Sequence, residues 1–168
     1  MRKSAQKTVL FLCGLGLLLV AHSPDAFSKD AAITAGEQYI VRILRDTYGV
    51  PHVFGKTDAD AAFGLAYAQL EDDFATIQEQ ILVIRGRLAA EYGREKAPLD
   101  YMVQLLRIRE AVDDKYEKDL SPKTRACLEA AAAATNYYAA LHPEQVKGAV
   151  KSLLPVTGKD IVAGFMLT

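Results

Sequence analysis

Between residues 63 and 88 apolar side chains recur at alternating steps of four and three: Phe63, Tyr67, Leu70, Phe74, Ile77, Ile81, Ile84 and Leu88. That period draws one stripe along a helix, and Glu71, Asp72, Gln78 and Glu79 fall off it on a polar side. Thr57 followed three residues later by Asp60 marks the start, because the hydroxyl and the carboxylate each satisfy an orphan backbone donor of the first turn. Unbroken, such a helix reaches roughly 39 Å. Gly86 is the place where it is expected to end or kink.

Ahead of this helix, after a short polar lead, the chain changes period. Tyr39, Val41 and Ile43 alternate with Ile40, Arg42 and Leu44, the pattern of a strand with one better buried face. Asp46, Tyr48 and Gly49 supply turn chemistry, and Val50 to Phe54 resumes the apolar run with Pro51 near its start, where an edge strand tolerates a missing N–H. The pair predicts a hairpin with an edge-like second strand.

Beyond the long helix, Asp100 to Glu117 is helical by composition, with Met102, Leu105, Leu106, Ile108 and Val112 as its apolar members. Ser121 offers an N-cap and Pro122 the first position of an Ala-rich helix that stops before Pro143. Of its adjacent Tyr137 and Tyr138, only one is expected to face a core. Thr157 and Asp160 repeat the helix-start signature ahead of Ile161, Val162, Phe165, Met166 and Leu167. That last apolar segment reaches Thr168 without a cap, a glycine or a terminal base, so the chain is expected to continue in a longer protein. The fold class is mainly α with one N-terminal β-hairpin.

Composition narrows the rest. The 168 residues are 51% hydrophobic and 24% charged, which suits one folded domain. The first residues stand apart: Arg2, Lys3 and Lys7 precede an apolar run from Thr8 to Ala21, too short to span a bilayer comfortably, and a polar stretch from His22 to Ser28. Residues 1–28 therefore read as a signal peptide and 29–168 as the exported region. Its 17 basic and 20 acidic groups form no basic block, so no nucleic-acid partner is expected. Cys13 leaves with the signal, and Cys127 alone forms no internal disulfide. On an Ala-rich helix it reads as a small buried hydrophobe.

No catalytic set emerges from the residues themselves. Ser121 and Ser152 are the serines left after the signal, and neither sits in a Gly-x-Ser-x-Gly elbow. His52 and His142 each adjoin a proline and read as structural. Glu71, Asp72 and Asp73 fan out by about 100° each on a helix and so do not converge on a metal. They read as a solvated face, with ion pairing across an interface as the second use.

A resemblance supplies what the chemistry does not. "RDTYGVPHVFGKTDADAAFGLAYAQLEDDF", residues 45–74, followed by "RGRLAAEYG", residues 85–93, resembles the opening of the penicillin acylase family of N-terminal nucleophile hydrolases. Those chains begin with a strand, an Arg-Asp-x-x-Gly-Val-Pro-His turn, an Ala-Phe-Gly helix and a Gly-Arg-Leu-Ala/Ser-Glu step. The likeness runs from about Tyr39 to Thr168, and "LPVTGKDIVAG", residues 154–164, is more similar to the acyl-homoserine lactone, aculeacin and cephalosporin acylase branch than to the penicillin G branch.

The resemblance implies an α-chain fragment of an αββα fold, in a periplasmic or secreted precursor that cuts itself into a small α and a large catalytic β chain. The serine at the new N-terminus of the β chain is then the nucleophile and its own α-amine the base, so no catalytic residue is expected here. It implies linear amides as substrates, such as acyl-homoserine lactones or β-lactam side chains, and allows a structural calcium in the full enzyme. Family acyl-pocket residues lie on and just beyond the helix that starts at Thr157. Phe165 and Met166 are thus the substrate-binding candidates, with packing into the core as the favoured alternative. A non-catalytic periplasmic adaptor is the competing reading of the whole.

Overall fold

The computed structural model describes residues 29–167, so the signal-peptide expectation and the end at Thr168 lie outside the described residues. The expected polar lead is a helix, α1 (Lys29–Gly36), lying against a later helix, α6 (Pro122–Leu141). The hairpin follows as β1 (Val41–Arg45) and β2 (Pro51–Gly55), antiparallel, with Val41 opposite Gly55 and Arg45 opposite Pro51. The first strand thus begins two residues later than its alternation suggested. Asp46 organises the turn: its carboxylate accepts from the N–H groups of Tyr48 and Val50, and Gly49 donates to its carbonyl at φ +83°, a region that side chains resist.

Helix α2 (Asp58–Ile84) starts as predicted, with Thr57 and Asp60 capping each other reciprocally. Asp60 also accepts from the N–H of Ile40, which ties the entry of β1 to the helix start. Helix and hairpin close upon one another at Gly64, where an added Cβ would overlap the side chains of Val41 and Val53. Arg45 bolts the far end, donating to the carbonyls of Gly49 and Ala68 and pairing with Glu71 and Asp72 at 3.1 and 2.9 Å.

The long stripe is not one continuous helix. At Asp73 the backbone leaves helical geometry (φ −155°, ψ 70°), and the Asp73 carboxylate caps the second half by accepting from the N–H of Thr76. Asp73 is therefore an internal N-cap rather than part of a solvated face, while Glu71 and Asp72 hold the hairpin. Helix α2 ends at Ile84 ahead of Gly86, which sits at φ +57°. Leu88 consequently opens α3 (Leu88–Tyr92), whose first N–H groups are capped from α4 (Ala97–Leu105) by Asp100, at 2.7 Å to Leu88 and 2.9 Å to Ala89.

The expected helix over 100–117 is two helices, α4 and α5 (Ile108–Asp119), separated by Arg107 in a left-handed conformation. The buried positions give the reason: Asp100 and Val103 in α4, then Ile108, Val112 and Tyr116 in α5, are one residue out of step for a continuous helix. Arg107 takes up that step. Met102, Leu105 and Leu106 consequently face outward, contrary to their expected apolar packing.

The core is α2 against the alanine face of α6, joined by the loop and helices that follow. Phe63, Leu70, Phe74, Ile81 and Leu82 meet Ala130, Ala134 and Tyr138, with Val146, Val150 of α7 (Gly148–Lys151), Leu154 and Val156 completing the layer. Both adjacent tyrosines contribute, against expectation: Tyr138 packs edge-on to Phe74 at 5.0 Å, and half-buried Tyr137 tilts against Phe63 and Tyr67, because α6 lies between α1 and α2. Gln78, placed off the stripe by its polarity, is only 2% exposed. It lies one turn beyond Phe74, and its amide donates to the Gln145 carbonyl and accepts from the Lys147 N–H, satisfying the loop after α6.

Filling the Gly64 contact tests this joint. Gly64→Val is expected to lower unfolding stability by about 1–3 kcal/mol, measured by urea titration. Because the hairpin is displaced rather than the α2–α6 core, amides of residues 41–55 are expected to exchange faster while those of α6 do not.

Candidate functional site

The last described helix, α8 (Gly158–Leu167), carries both candidate residues, and an unusual share of the buried polar chemistry serves to fix its root. Asn136 of α6 grips the approach in both directions, donating to the Val156 carbonyl and accepting from the Val156 N–H, each at 2.8 Å. Glu129 accepts from the Gly158 N–H with one oxygen and from the Tyr116 hydroxyl with the other, at 3.2 and 2.7 Å. Burial, then this bond to the carboxylate, pushes the Tyr116 phenol well above its ordinary value, so it stays a neutral donor.

Asp160 is the centre of the arrangement. It is 2% exposed, and its carboxylate accepts from Arg85 Nη2 at 2.8 Å, from Arg109 Nη1 at 2.5 Å, and from the N–H and hydroxyl of Thr157 at 2.8 Å each. Arg85 Nε also lies 2.6 Å from Oδ1 but off the N–H direction, an ion contact rather than a hydrogen bond. Burial pushes this carboxyl up, but the bonds from Arg85 and Thr157 outweigh it and hold it below its ordinary value. The ends of α2, α5 and α8 thus meet on one ionised carboxylate. The helix-start signature at Thr157 reported only the local half of this role. Arg109 carried no sequence signal beyond its charge, and Arg85 none beyond opening the segment RGRLAAEYG.

From this root the inner side of α8 runs over Ala163, with Gly164 beside Ile84, and the last turn projects Phe165 and Met166 at 72% and 52% exposure. Among the described residues neither packs into the core: the buried positions 160 and 163 put 165 and 166 on the outer side.

The remaining candidates are occupied elsewhere. Ser121 Oγ caps α6 by accepting from the Thr124 N–H, and Ser152 donates to the Ala149 carbonyl. His52 lies 3.5 Å from Asp46, and His142 rests against the Tyr138 ring. Cys127 is only partly buried, less so than expected. Among the described residues no three His, Cys, Asp or Glu side chains are grouped to hold a metal ion. An open cleft of about 450 Å³ lies between α3 and α4, but the one carboxylate lining it, Asp100, is spent on capping α3.

The penicillin amidase family model matches residues 40–160. The chain is 28% identical to an acyl-homoserine lactone acylase, PvdQ, of Pseudomonas fluorescens (strain Pf0-1), in a match covering 96% of this chain and 22% of that protein. It is 30% identical to the aculeacin-A acylase of Actinoplanes utahensis over 49% of this chain and 10% of the relative. The chain thus spans about a fifth or less of the length of these curated relatives. Its fold is similar to a solved chain of the thermostable penicillin G acylase from Alcaligenes faecalis, with a TM-score of 0.59 and 24% identity, covering 76% of this chain and 70% of that one.

The depressed carboxyl at Asp160 makes a signed prediction. Its contribution to stability is fully present above the ordinary value of 3.8 and is lost as pH falls through the lower folded value. Asp160→Asn is expected to cost about 3 kcal/mol near neutrality, because two guanidinium groups lose their counter-charge. The loss relative to the parent is expected to shrink as pH falls below 3.8, read by denaturant unfolding across that range.

Proposed function

Because the chain belongs to the penicillin amidase family, we propose that it is the N-terminal, α-chain part of an exported acylase that hydrolyses linear amides such as acyl-homoserine lactones. Residues 1–28 are then the signal peptide and 29–168 the α-chain region, acting in the periplasm or outside the cell. The names of the first relatives support the acyl-homoserine lactone and aculeacin branch. A two-chain product draws support from the solved acylase chain itself, 70% of which the match covers, whereas the match to the first curated relative covers only 22% of that protein.

The observation that carries the reading is the fixed α8 with its exposed last turn. A pocket for an acyl chain needs apolar groups held in place, and Phe165 and Met166 are presented from a helix rooted on the buried Asp160. The catalytic work falls to the rest of the precursor: a serine exposed at a new N-terminus attacks the amide carbonyl, and its own α-amine takes the proton. The αββα assignment draws support from the hairpin, where α2 covers one face and the other bears exposed Leu44 and Phe54, a surface suited to a second sheet layer.

The test uses the complete gene product. A denaturing gel is expected to show two chains, the larger beginning with serine, and the purified protein is expected to release acyl chains from acyl-homoserine lactones. Phe165→Ala and Met166→Ala are expected to leave processing intact and to lower kcat/KM for long acyl chains about tenfold more than for short ones. An uncleaved product without amide hydrolysis would sink the acylase reading in favour of an adaptor. Unchanged chain-length preference in both variants would remove these two residues from the pocket.

A further inference from the structure

Among the described residues Arg107 is the one residue with a side chain at positive φ, a conformation that persists only where the surroundings require it. Its own side chain is exposed, 3.5 Å from Glu110, and supplies no such requirement. What the corner delivers is the next two residues: Ile108 turns into the core, and Arg109 reaches Asp160 at the root of α8. The two oxygens of Asp160 are then held differently. Oδ2 accepts from Arg85 Nη2 and from the N–H and hydroxyl of Thr157, whereas the hydrogen bond to Oδ1 comes from Arg109, since Arg85 Nε lies off its N–H direction. Thr157 belongs to the start of α8 itself and Arg85 to the end of α2. Arg109 is therefore the donor that ties the carboxylate to α5.

Beyond that root the two helices share a small apolar layer. Ile108, Val112 and Tyr116 meet Ala163, and half-buried Leu167 leans on them from the last turn of α8. Gly164 lies close to the end of α2, where an added Cβ would stand 3.1 Å from Ile84 Cδ1. Helix α8 is thus seated between α2 and α5, and Phe165 and Met166 stand where that seat places them. We propose that Arg109 is a positioning residue for the acyl pocket: through Asp160 Oδ1 it fixes the depth at which Phe165 and Met166 stand, and so sets the preferred acyl-chain length. This rests on the acylase reading above. The effect passes through α8, with no contact between Arg109 and substrate. Without Arg109 the carboxylate keeps Arg85 and Thr157, so α8 is loosened while the rest of the cluster remains.

Steady-state kinetics of the complete gene product on dodecanoyl- and hexanoyl-homoserine lactone test it, with Arg109→Ala, Arg109→Lys and Lys159→Ala beside the parent. Contacts along an acyl chain act on bound substrate and transition state alike, so their loss falls on KM. Arg109→Ala is expected to raise KM for the dodecanoyl substrate roughly fivefold to tenfold and for the hexanoyl one less than about twofold, with kcat for both within about twofold of the parent. Arg109→Lys keeps a charged donor toward Oδ1 without the guanidinium geometry and is expected to recover about half of that shift. It carries the same comparison where the alanine variant is not processed. Lys159→Ala removes an exposed ion pair between the same two helices, Lys159 to Asp113 at 2.8 Å, and is expected to leave both KM values unchanged. Unchanged chain-length preference in both Arg109 variants, or a fall in kcat shared by both substrates, would overturn the proposal and, in a cleaved and active parent, leave the acylase reading intact. An equal shift in Lys159→Ala would overturn it as well, because any loosening between α5 and α8 would then suffice. A parent without amide hydrolysis would overturn the proposal and the acylase reading together.

Discussion

A single buried carboxylate joins the end of α2 to the starts of α5 and α8. Asp160 is removed from water, a costly state for an ionised group unless every oxygen is matched, and Arg85, Arg109 and Thr157 match them. Each partner comes from a different place: Arg85 follows the end of α2, Arg109 opens α5, and Thr157 precedes α8. Their geometry cannot be relaxed one at a time, since freeing either arginine leaves the other facing an incompletely paired carboxylate. The supporting bonds of Asn136 to Val156 and of Glu129 to Gly158 act in the same direction, fixing the approach to α8 before its first turn.

The hairpin is fixed to α2 by a second device of another kind. Absence of a side chain at Gly64 lets Val41 and Val53 reach the helix, and Arg45 spans from the turn to the carbonyl of Ala68 and the carboxylates of Glu71 and Asp72. Steric fit sets the distance and the guanidinium sets the angle. The break at Asp73 follows directly beyond this attachment, so Gly64, Ala68, Glu71 and Asp72, which hold the hairpin, all lie in the first half of α2, while both halves pack on α6. The turn motif and the Ala-Phe-Gly helix of the sequence are thus two sides of one joint.

Elements with local causes were legible in the sequence. The Thr57–Asp60 cap, the Ser121–Pro122 start and the hairpin each rest on residues within a few positions of one another, and each stands where the pattern placed it to within about two residues. Breaks with distant causes were not. Asp73 looked like one more acid on a helix face, and Arg107 carries no glycine-like signal, because its conformation is set by the phase difference between Val103 and Ile108. Gln78 illustrates the same limit: polarity sent it to the surface, whereas its i+4 spacing from Phe74 and the loop after α6 require it inside. At the candidate site the residues of α8 were named in advance, but their outward direction depends on Asp160 and Ala163 facing inward, which only the tertiary ion cluster determines.

If the carboxylate of Asp160 is the point on which α2, α5 and α8 depend together, its bonds must be energetically coupled. A double-mutant cycle with Arg85→Ala, Asp160→Ala and the pair, read by denaturant unfolding of the complete protein, measures that coupling directly. The account predicts an interaction energy of about 1.5–3 kcal/mol. Additive losses, with coupling within about 0.5 kcal/mol of zero, would contradict it, because the two residues would then stabilise the fold independently.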